Sequence, residues 1–272
     1  MMNDESVKNN KLLKAFLSES LAKGNLNTHD ILPRKDVTVV MYFFWQRESA
    51  SIAWNDFAGA LLATWRYCGR LHTVVVSNAE HQCLREFADR NGNVEIQIER
   101  SLIPGNIDSM SIDCNCRLYS RFATKFVLII QNDGFPLRRG LDEFVEKGYD
   151  FIGSPYCRAL MIPNFLTKIL NYCPSNGGFS LRTRRICELA ASYWEDEYAH
   201  QKFVVDDMSE DLFYTKTLAS RKPLYWLRRR QAPSIIAEQF SYEGCFPLYS
   251  KKMPFGFHTA KGFAEIRQRF CI

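Results

Sequence analysis

The chain lacks a hydrophobic run long enough to cross a bilayer: its longest, Val37 to Trp45, falls far short of the roughly 20 residues a membrane helix needs. Its N-terminus, Met-Met-Asn-Asp-Glu-Ser, is polar and acidic, without the apolar segment of a secretory signal. No Asn-x-Ser/Thr sequon occurs, which agrees with an expected cytoplasmic location. The nine cysteines are an odd number without regular pitch, the closest pair being Cys114-x-Cys116. With no Cys-x-x-Cys there is no zinc signature, and reduced, mostly buried thiols are expected. Net charge is only +5, too little for a nucleic-acid binder of this length. The densest basic stretch, Arg221-Lys222 with Arg228-Arg229-Arg230, reads as a solvated helix face or as a contact for an anionic acceptor or membrane surface. Gly-x-Gly-x-x-Gly, Walker, His-Glu-x-x-His and Gly-x-Ser-x-Gly motifs are all missing. Dehydrogenase, P-loop, zincin and α/β-hydrolase chemistry fall away with them.

What is present is apolar residues in periodic order. Hydrophobic residues make up 46% and aromatics 14% of the 272, enough for a sizeable core. Residues 1–35 are polar and lysine-rich, with Leu13, Phe16, Leu17 and Leu21 at helical spacing. This predicts an amphipathic helix docked on the body, peripheral membrane contact being the other use of such a stripe. From Asp36 strands and helices alternate. Strands are expected at Val37–Phe44, Leu71–Ser77, Val94–Ile98 and Phe126–Ile130. Helices are expected at Trp54–Tyr67, Glu80–Arg90 (stopped by Asn91-Gly92) and around Asp113–Phe122. The alternation predicts an α/β fold, a mainly parallel sheet with helices on both sides. After Gly134 the pattern loosens, with strands near Asp150–Gly153 and Phe179–Arg182. Helices are expected there at Asn164–Tyr172, Arg184–Trp194 and Asp211–Leu218.

Four motifs in the second half carry chemistry. Phe126-Val-Leu-Ile-Ile-Gln131-Asn132-Asp133 ends a buried strand on a carboxylate, at the edge where open α/β sheets bind ligands. Asp133 there either holds a divalent cation or simply begins a turn with Gly134. Asn176-Gly177-Gly178, ahead of Phe179, can take positive φ and admit a ligand close to the backbone, or make a hairpin turn. Glu210 and Asp211 stand at a predicted helix start, as capping charges or as a general base. His258, in Pro254-Phe-Gly-Phe-His, is either a satisfied core histidine or a ligand to the metal held by Asp133.

In this order the motifs resemble those of the nucleotide-sugar-dependent glycosyltransferases of the GT-A fold. The likeness is to a microbial branch with Gln-x-Asp, Tyr-Asp-x-Ile-Gly-x-Pro, Asn-Gly-Gly-Phe-Ser-Leu-Arg, Glu-Asp and Pro-Phe-Gly-Phe-His. Here these stand as Ile130-Gln-Asn-Asp133, Tyr149 to Pro155, Asn176 to Arg182, Glu210-Asp211 and Pro254 to His258, with Phe240-Ser-Tyr-Glu243 ahead of the last. The resemblance, over roughly residues 36 to 260, implies one GT-A-like (Rossmann-like) domain, 36–272, behind an N-terminal helical extension, 1–35. Residues 36–134 would form the nucleotide-sugar side and 135–272 the acceptor side. It implies Mn²⁺ or Mg²⁺ on Asp133 and His258, and Asp211 as catalytic base with Glu210 beside it. Asn176, Gly177, Gly178 and Phe179 would line the acceptor side. Phe44, Trp45, Ser77, Asn78, Gln131 and Asn132 would hold the donor. Gln131 stands where the family's first metal-binding Asp would be, which leaves the cation one anionic ligand fewer.

The expected reaction is sugar transfer from a nucleotide-sugar donor to a hydroxyl of a glycan or glycolipid acceptor, with inversion, as in polysaccharide biosynthesis at the inner face of a membrane. The rival readings are a non-catalytic carbohydrate-binding or membrane-surface module and a sugar nucleotidyltransferase. The latter lacks its glycine-rich, basic phosphate loop near the first strand.

Overall fold

The computed structural model describes residues 4–22, 31–44, 50–104, 106–155, 175–195, 209–218, 231–244 and 248–272. Valine, isoleucine and aromatic residues dominate the central strands, whose two buried faces suit β-branched side chains. They are β1 (Val37–Phe43), β2 (Thr73–Ser77), β3 (Val94–Ile98) and β4 (Phe126–Ile130), mutually parallel in the order β3-β2-β1-β4. Beyond β4 the sheet continues with β7 (Ser175–Thr183), antiparallel to it, and β6 (Phe151–Pro155), antiparallel to β7. The class expected from the sequence is the one observed: α/β, mainly parallel, flanked by helices.

Each face has its own core. One packs Val39, Met41, Leu128, Ile130 and Leu181 with α2 (Ala50–Cys68), where Phe57, Leu61, Thr64 and Trp65 are buried as their spacing predicts. The other packs Val40, Val74, Val127 and Ile129 against Leu118 and Phe122 and, from α6 (Arg184–Tyr193), Ile186, Cys187 and Ala190. Helix α1 (Asp4–Ala22) lies on the first face, burying Leu13 and Leu17, with the Phe16 ring 5.2 Å from that of Phe263. These three apolar side chains are engaged by the protein itself. No described helix is long and apolar enough to cross a membrane.

Local signals end the helices cleanly. Helix α3 (Gln82–Asn91) stops at Gly92, whose left-handed φ of +46° lets its N–H reach Ala88 O. The expectation for the next helix needs correction: α4 spans Ile107–Cys116 and begins six residues before Asp113. Asn106 starts it, its Oδ1 accepting from Asp108 N (2.9 Å) and Ser109 N (3.2 Å). Its polarity is inverted, with Ser111, Asp113 and Asn115 buried and Ile107 70% exposed, so apolar periodicity misplaces it. The helix expected at Asn164–Tyr172 and the basic stretch of residues 221–230 lie outside the described residues.

A second sheet, unexpected from the sequence, consists of β5 (Gly134–Pro136), β9 (Gly256–His258) and β8 (Ser241–Tyr242), in that spatial order. With two or three residues apiece, these strands are too short to show a period of two. Aromatic contacts brace this sheet internally and tie the helix residue ahead of β8 to the first sheet. Phe179 of β7 stacks on Phe240 at 4.8 Å, and Phe135 meets Phe257 edge-on at 4.7 Å. Such pairs contribute about 0.5–1.5 kcal/mol each beyond their buried area.

Candidate active site

The order of the main sheet reverses at β1, with β2 and β3 on one side and β4 on the other. Ligands of open α/β sheets bind beyond the carboxyl ends at such a point. Gln131–Gly134 emerges from β4 there as a tight hairpin, Gln131 N and Gly134 N each bonding the other residue's carbonyl at 2.9 and 3.1 Å. Asn132 and Asp133 form its tip, Asn132 exposed and the Asp133 side chain 43% exposed. The hairpin leads into β5, whose pairing with β9 sets Gly134 opposite His258. That register brings the imidazole to the loop 125 positions away in sequence. His258 Nε2 lies 3.9 Å from Asp133 Oδ1 and 3.3 Å from Gln131 Oε1.

Because β7 runs against β4, its first residues reach the same edge. Between β6 and β7 the register jumps: Gly153 pairs with Ser180 but Ser154 pairs with Asn176. Gly177, Gly178 and Phe179 are therefore extra residues, bulged out of the ladder. Neither glycine has positive φ; they are needed for space rather than for a turn, which corrects the expectation from sequence. A Cβ at Gly178 would collide with His258 Nε2 and lie 2.6 Å from Gln131 Oε1. One at Gly177 would collide with Glu210 Oε1 and Arg182 Nη2 and lie 2.6 Å from Asp211 Oδ1. Two consecutive glycines thus separate the Asp133–His258 cluster from the acidic pair, with backbone against both. Gly178→Ala is expected to cost about 1–3 kcal/mol by forcing His258 and Gln131 aside. A thermal melt reads the loss, and an unchanged midpoint would contradict the packing.

The acidic pair begins the short helix α7 (Glu210–Leu212), capped by Ser209, whose Oγ accepts from Leu212 N. This helix passes into one π turn, Phe213–Thr217. Asp211 is half-buried and accepts from Gly177 N at 2.5 Å. Glu210 is buried beside Arg182, with Oε1 3.4 Å from Nη2. Burial, followed by the Asp211 charge, holds the Glu210 carboxyl well above the usual carboxylate range, and Arg182 opposes the shift only in part. Arg182 is fully buried, its guanidinium 5.0 Å from the Phe151 ring centroid and 4.5 Å from that of Tyr214.

Behind His258 stands a carboxylate given no role from sequence, Glu243, with Oε1 3.4 Å from Nδ1. Burial pulls the imidazole pKa down, but Glu243, Asp133 and Asp211 outweigh it, and the net shift is upward. Arg182 and Glu243 both lie in motifs visible in the sequence; nothing in their spacing marks them as the buried supports of the acids and of the imidazole.

Other expected site residues fall into place unevenly. The ends of β1 and β2 lie on the same sheet edge as Asp133, so half-buried Phe44, buried Ser77 and half-buried Asn78 face the same side of the molecule. Trp45 lies outside the described residues. Asn176 is half-buried and bonds Glu243 Oε1 at 3.0 Å. Phe179 is completely buried in the aromatic stack, so it packs beneath the bulge and presents no surface to a sugar, contrary to expectation.

Among the described residues no three His, Cys, Asp or Glu side chains form a group that could hold a metal ion. Asp133 and His258 supply two donors. Two donors each about 2.1 Å from one ion lie at most about 4.2 Å apart, and their 3.9 Å falls within that span. They are spaced to share one cation, which would need its remaining ligands from outside this pair.

No curated protein matches the sequence. Among solved structures, the mannosyltransferase PcManGT from Pyrobaculum calidifontis, in complex with GDP-Man and Mn²⁺, aligns at 14% identity and a TM-score of 0.39. The alignment covers 65% of this chain and 58% of that one. The apo form of the glycosyltransferase GlyE from Streptococcus pneumoniae TIGR4 aligns at 9% identity and a TM-score of 0.48, covering 81% and 53%. The chain thus spans between half and three fifths of the length of either. A family profile matches residues 99–258, from just after β3 to His258 itself, and so encloses Asp133, the glycine bulge, the acidic pair and Glu243. That stretch is more than half of the 272 residues, and the chain belongs to the family described as Protein of unknown function (DUF5672).

Proposed function

We propose that the protein is a glycosyltransferase that moves a sugar from a nucleotide-sugar donor to a hydroxyl of a glycan or glycolipid acceptor. The observation that carries this reading is the meeting of Asp133 and His258 with Glu210 and Asp211 across Gly177-Gly178, at the carboxyl edge of the sheet. A pair suited to a cation and a carboxylate suited to a base stand on either side of one glycine backbone, so leaving group and nucleophile can be served from the same edge of the sheet.

Asp133 and His258 would hold Mn²⁺ or Mg²⁺, which would supply positive charge to the departing nucleoside diphosphate. Gln131, beside His258 Nε2 at 3.3 Å, is placed to hydrogen-bond a ribose or sugar hydroxyl. Asn132, at the exposed hairpin tip, faces the donor side with it. Phe44, Ser77 and Asn78 would bind the nucleotide, making residues 36–134 the donor side and 135–272 the acceptor side. Asp211 takes the proton from the acceptor hydroxyl, and attack on the face opposite the leaving group inverts the anomeric centre. Gly177 N fixes the orientation of that carboxylate through its 2.5 Å bond. Buried Glu210, paired with Arg182, supports Asp211 from within.

The test is incubation of the purified chain with a panel of nucleotide sugars, glycan and glycolipid acceptors, and Mn²⁺ or Mg²⁺, read by nucleoside diphosphate release and product mass. Release is expected to depend on the cation, to stop with EDTA and to stop in His258→Ala. The raised imidazole pKa adds a sign. Protonated His258 cannot ligate, so Mn²⁺ affinity should be lost as pH falls, starting above the ordinary histidine value of about 6.5. Turnover indifferent to EDTA would remove the cation from the mechanism.

A further inference from the structure

His258 brings only one ring nitrogen to the hairpin. Its Nδ1 points the other way, toward a buried carboxylate that is itself held from both sides. Glu243 Oε1 accepts from Asn176 Nδ2 at 3.0 Å, and Asn176 Oδ1 in turn accepts from Gly178 N at 2.8 Å. Glu243 O accepts from Thr259 Oγ1 at 2.9 Å, and Thr259 N donates to Asp133 O at 2.7 Å. Thr259 does this with a φ of +77°, a backbone state that β-branched residues rarely adopt. Glu243 is therefore tied to the glycine bulge through one neighbour and to the Asp133 hairpin through another.

A carboxylate in this position is unfavourable as packing alone. Glu243 is 9% exposed, and its Oε2 is buried without a hydrogen bond. Nδ1 of His258 is likewise buried without a well-aligned bond, 3.4 Å from Oε1. A carboxylate oxygen at that distance is placed to accept from a proton-bearing Nδ1. We propose that Glu243 is a positioning residue for His258: it holds the proton on Nδ1 and turns the Nε2 lone pair toward Asp133. This rests on the metal-dependent reading above and deepens it. It gives the imidazole the carboxylate partner that metal-binding histidines use to fix ring orientation and ligand strength.

The experiment has a metal-free and a metal-loaded arm, with circular dichroism confirming each fold. In the first, ¹⁵N-histidine protein at pH 9, where imidazoles are neutral, is examined by long-range ¹H–¹⁵N correlation. Wild type should show His258, assigned by its loss in His258→Ala, as the Nδ1–H tautomer. Glu243→Leu should move it to Nε2–H, and Glu243→Gln, which keeps an acceptor oxygen, should retain Nδ1–H. In the second arm Mn²⁺ binding is titrated by calorimetry. Glu243→Leu should weaken it about 10- to 100-fold and Glu243→Gln by less. An unchanged tautomer with wild-type Mn²⁺ affinity in Glu243→Leu overturns the inference. If that variant does not fold, Glu243→Gln decides: weaker Mn²⁺ binding supports the inference, and wild-type binding overturns it. Should wild type bind no Mn²⁺ at all, the metal reading fails, while the tautomer still decides whether Glu243 sets the state of His258.

Discussion

Asp211→Asn is expected to lower turnover by two to four orders of magnitude while donor affinity stays within a few-fold of wild type. Asparagine keeps an oxygen that can accept from Gly177 N, whose bond to Asp211 Oδ1 is 2.5 Å, so the bulge and the acceptor wall hold their shape. What it loses is the capacity to take a proton, and a positioned general base is worth roughly 10²–10⁴-fold. Steady-state turnover, with donor affinity measured separately by calorimetry, distinguishes loss of a base from loss of binding. The neighbouring carboxyl gives the contrast. Glu210 is buried and held above the usual carboxylate range, so Glu210→Gln keeps a group of the same shape beside Arg182 and leaves Asp211 in place. A far smaller fall in turnover is expected there. Near-normal turnover in Asp211→Asn, or a deeper loss in Glu210→Gln, would take the base role away from Asp211.

The first half of the fold was legible because its strands are buried on both faces. Val37–Phe43 and Phe126–Ile130 are continuous apolar runs, which only a covered parallel strand tolerates, and turn residues such as Asn91-Gly92 bound the helices between them. Farther on, β6, β7, α6 and the helical turns from Glu210 also fall where the sequence puts them, and the reading failed at two places for physical reasons. The strands that carry Gly134 and His258 are three residues long and owe their existence to pairing with each other. And α4 places its polar residues inward, where Asp113 bonds the Tyr42 hydroxyl at 2.8 Å and pairs with Arg121, so an apolar stripe points to the wrong turn. The site follows the same division. Asp133 was legible because a strand aims it, and the acidic pair because two carboxylates stand together. Motif composition cannot separate Gly177 and Gly178, which touch the acids and the imidazole through missing side chains, from Phe179, which packs below. Nor can it show that Arg182 faces inward: arginine in a strand is ordinarily a solvent residue, and the Phe151 and Tyr214 rings, Glu210, and acceptors at Ser180 Oγ and Gly177 O make its burial tolerable.

That burial makes Arg182→Met the substitution with the largest expected effect on stability, about 3–5 kcal/mol. Methionine fills the space between the two rings, so packing loss is small, and Ser180 Oγ still donates to Gly177 O at 2.8 Å. The larger damage is electrostatic, because Glu210 would remain in the interior beside Asp211 without its cation, and the bonds from Arg182 to Ser180 Oγ and Gly177 O are lost with it. The sign with pH follows from the raised carboxyl. Glu210 favours the folded state below its ordinary value of 4.5, where it is protonated in both states, and opposes it increasingly as pH rises. Removing Arg182 pushes that carboxyl higher still, so the gap between variant and wild type should be small near pH 4.5 and widest above neutrality. Urea denaturation at pH 4.5 and pH 8 measures both gaps. Adding Glu210→Gln to Arg182→Met should recover part of the loss at pH 8, with a coupling of about 0.5–3 kcal/mol. A penalty equal at the two pH values, and unchanged in the double variant, would mean that Arg182 acts through its stacking on Phe151 and Tyr214 and not as the counter-charge of Glu210.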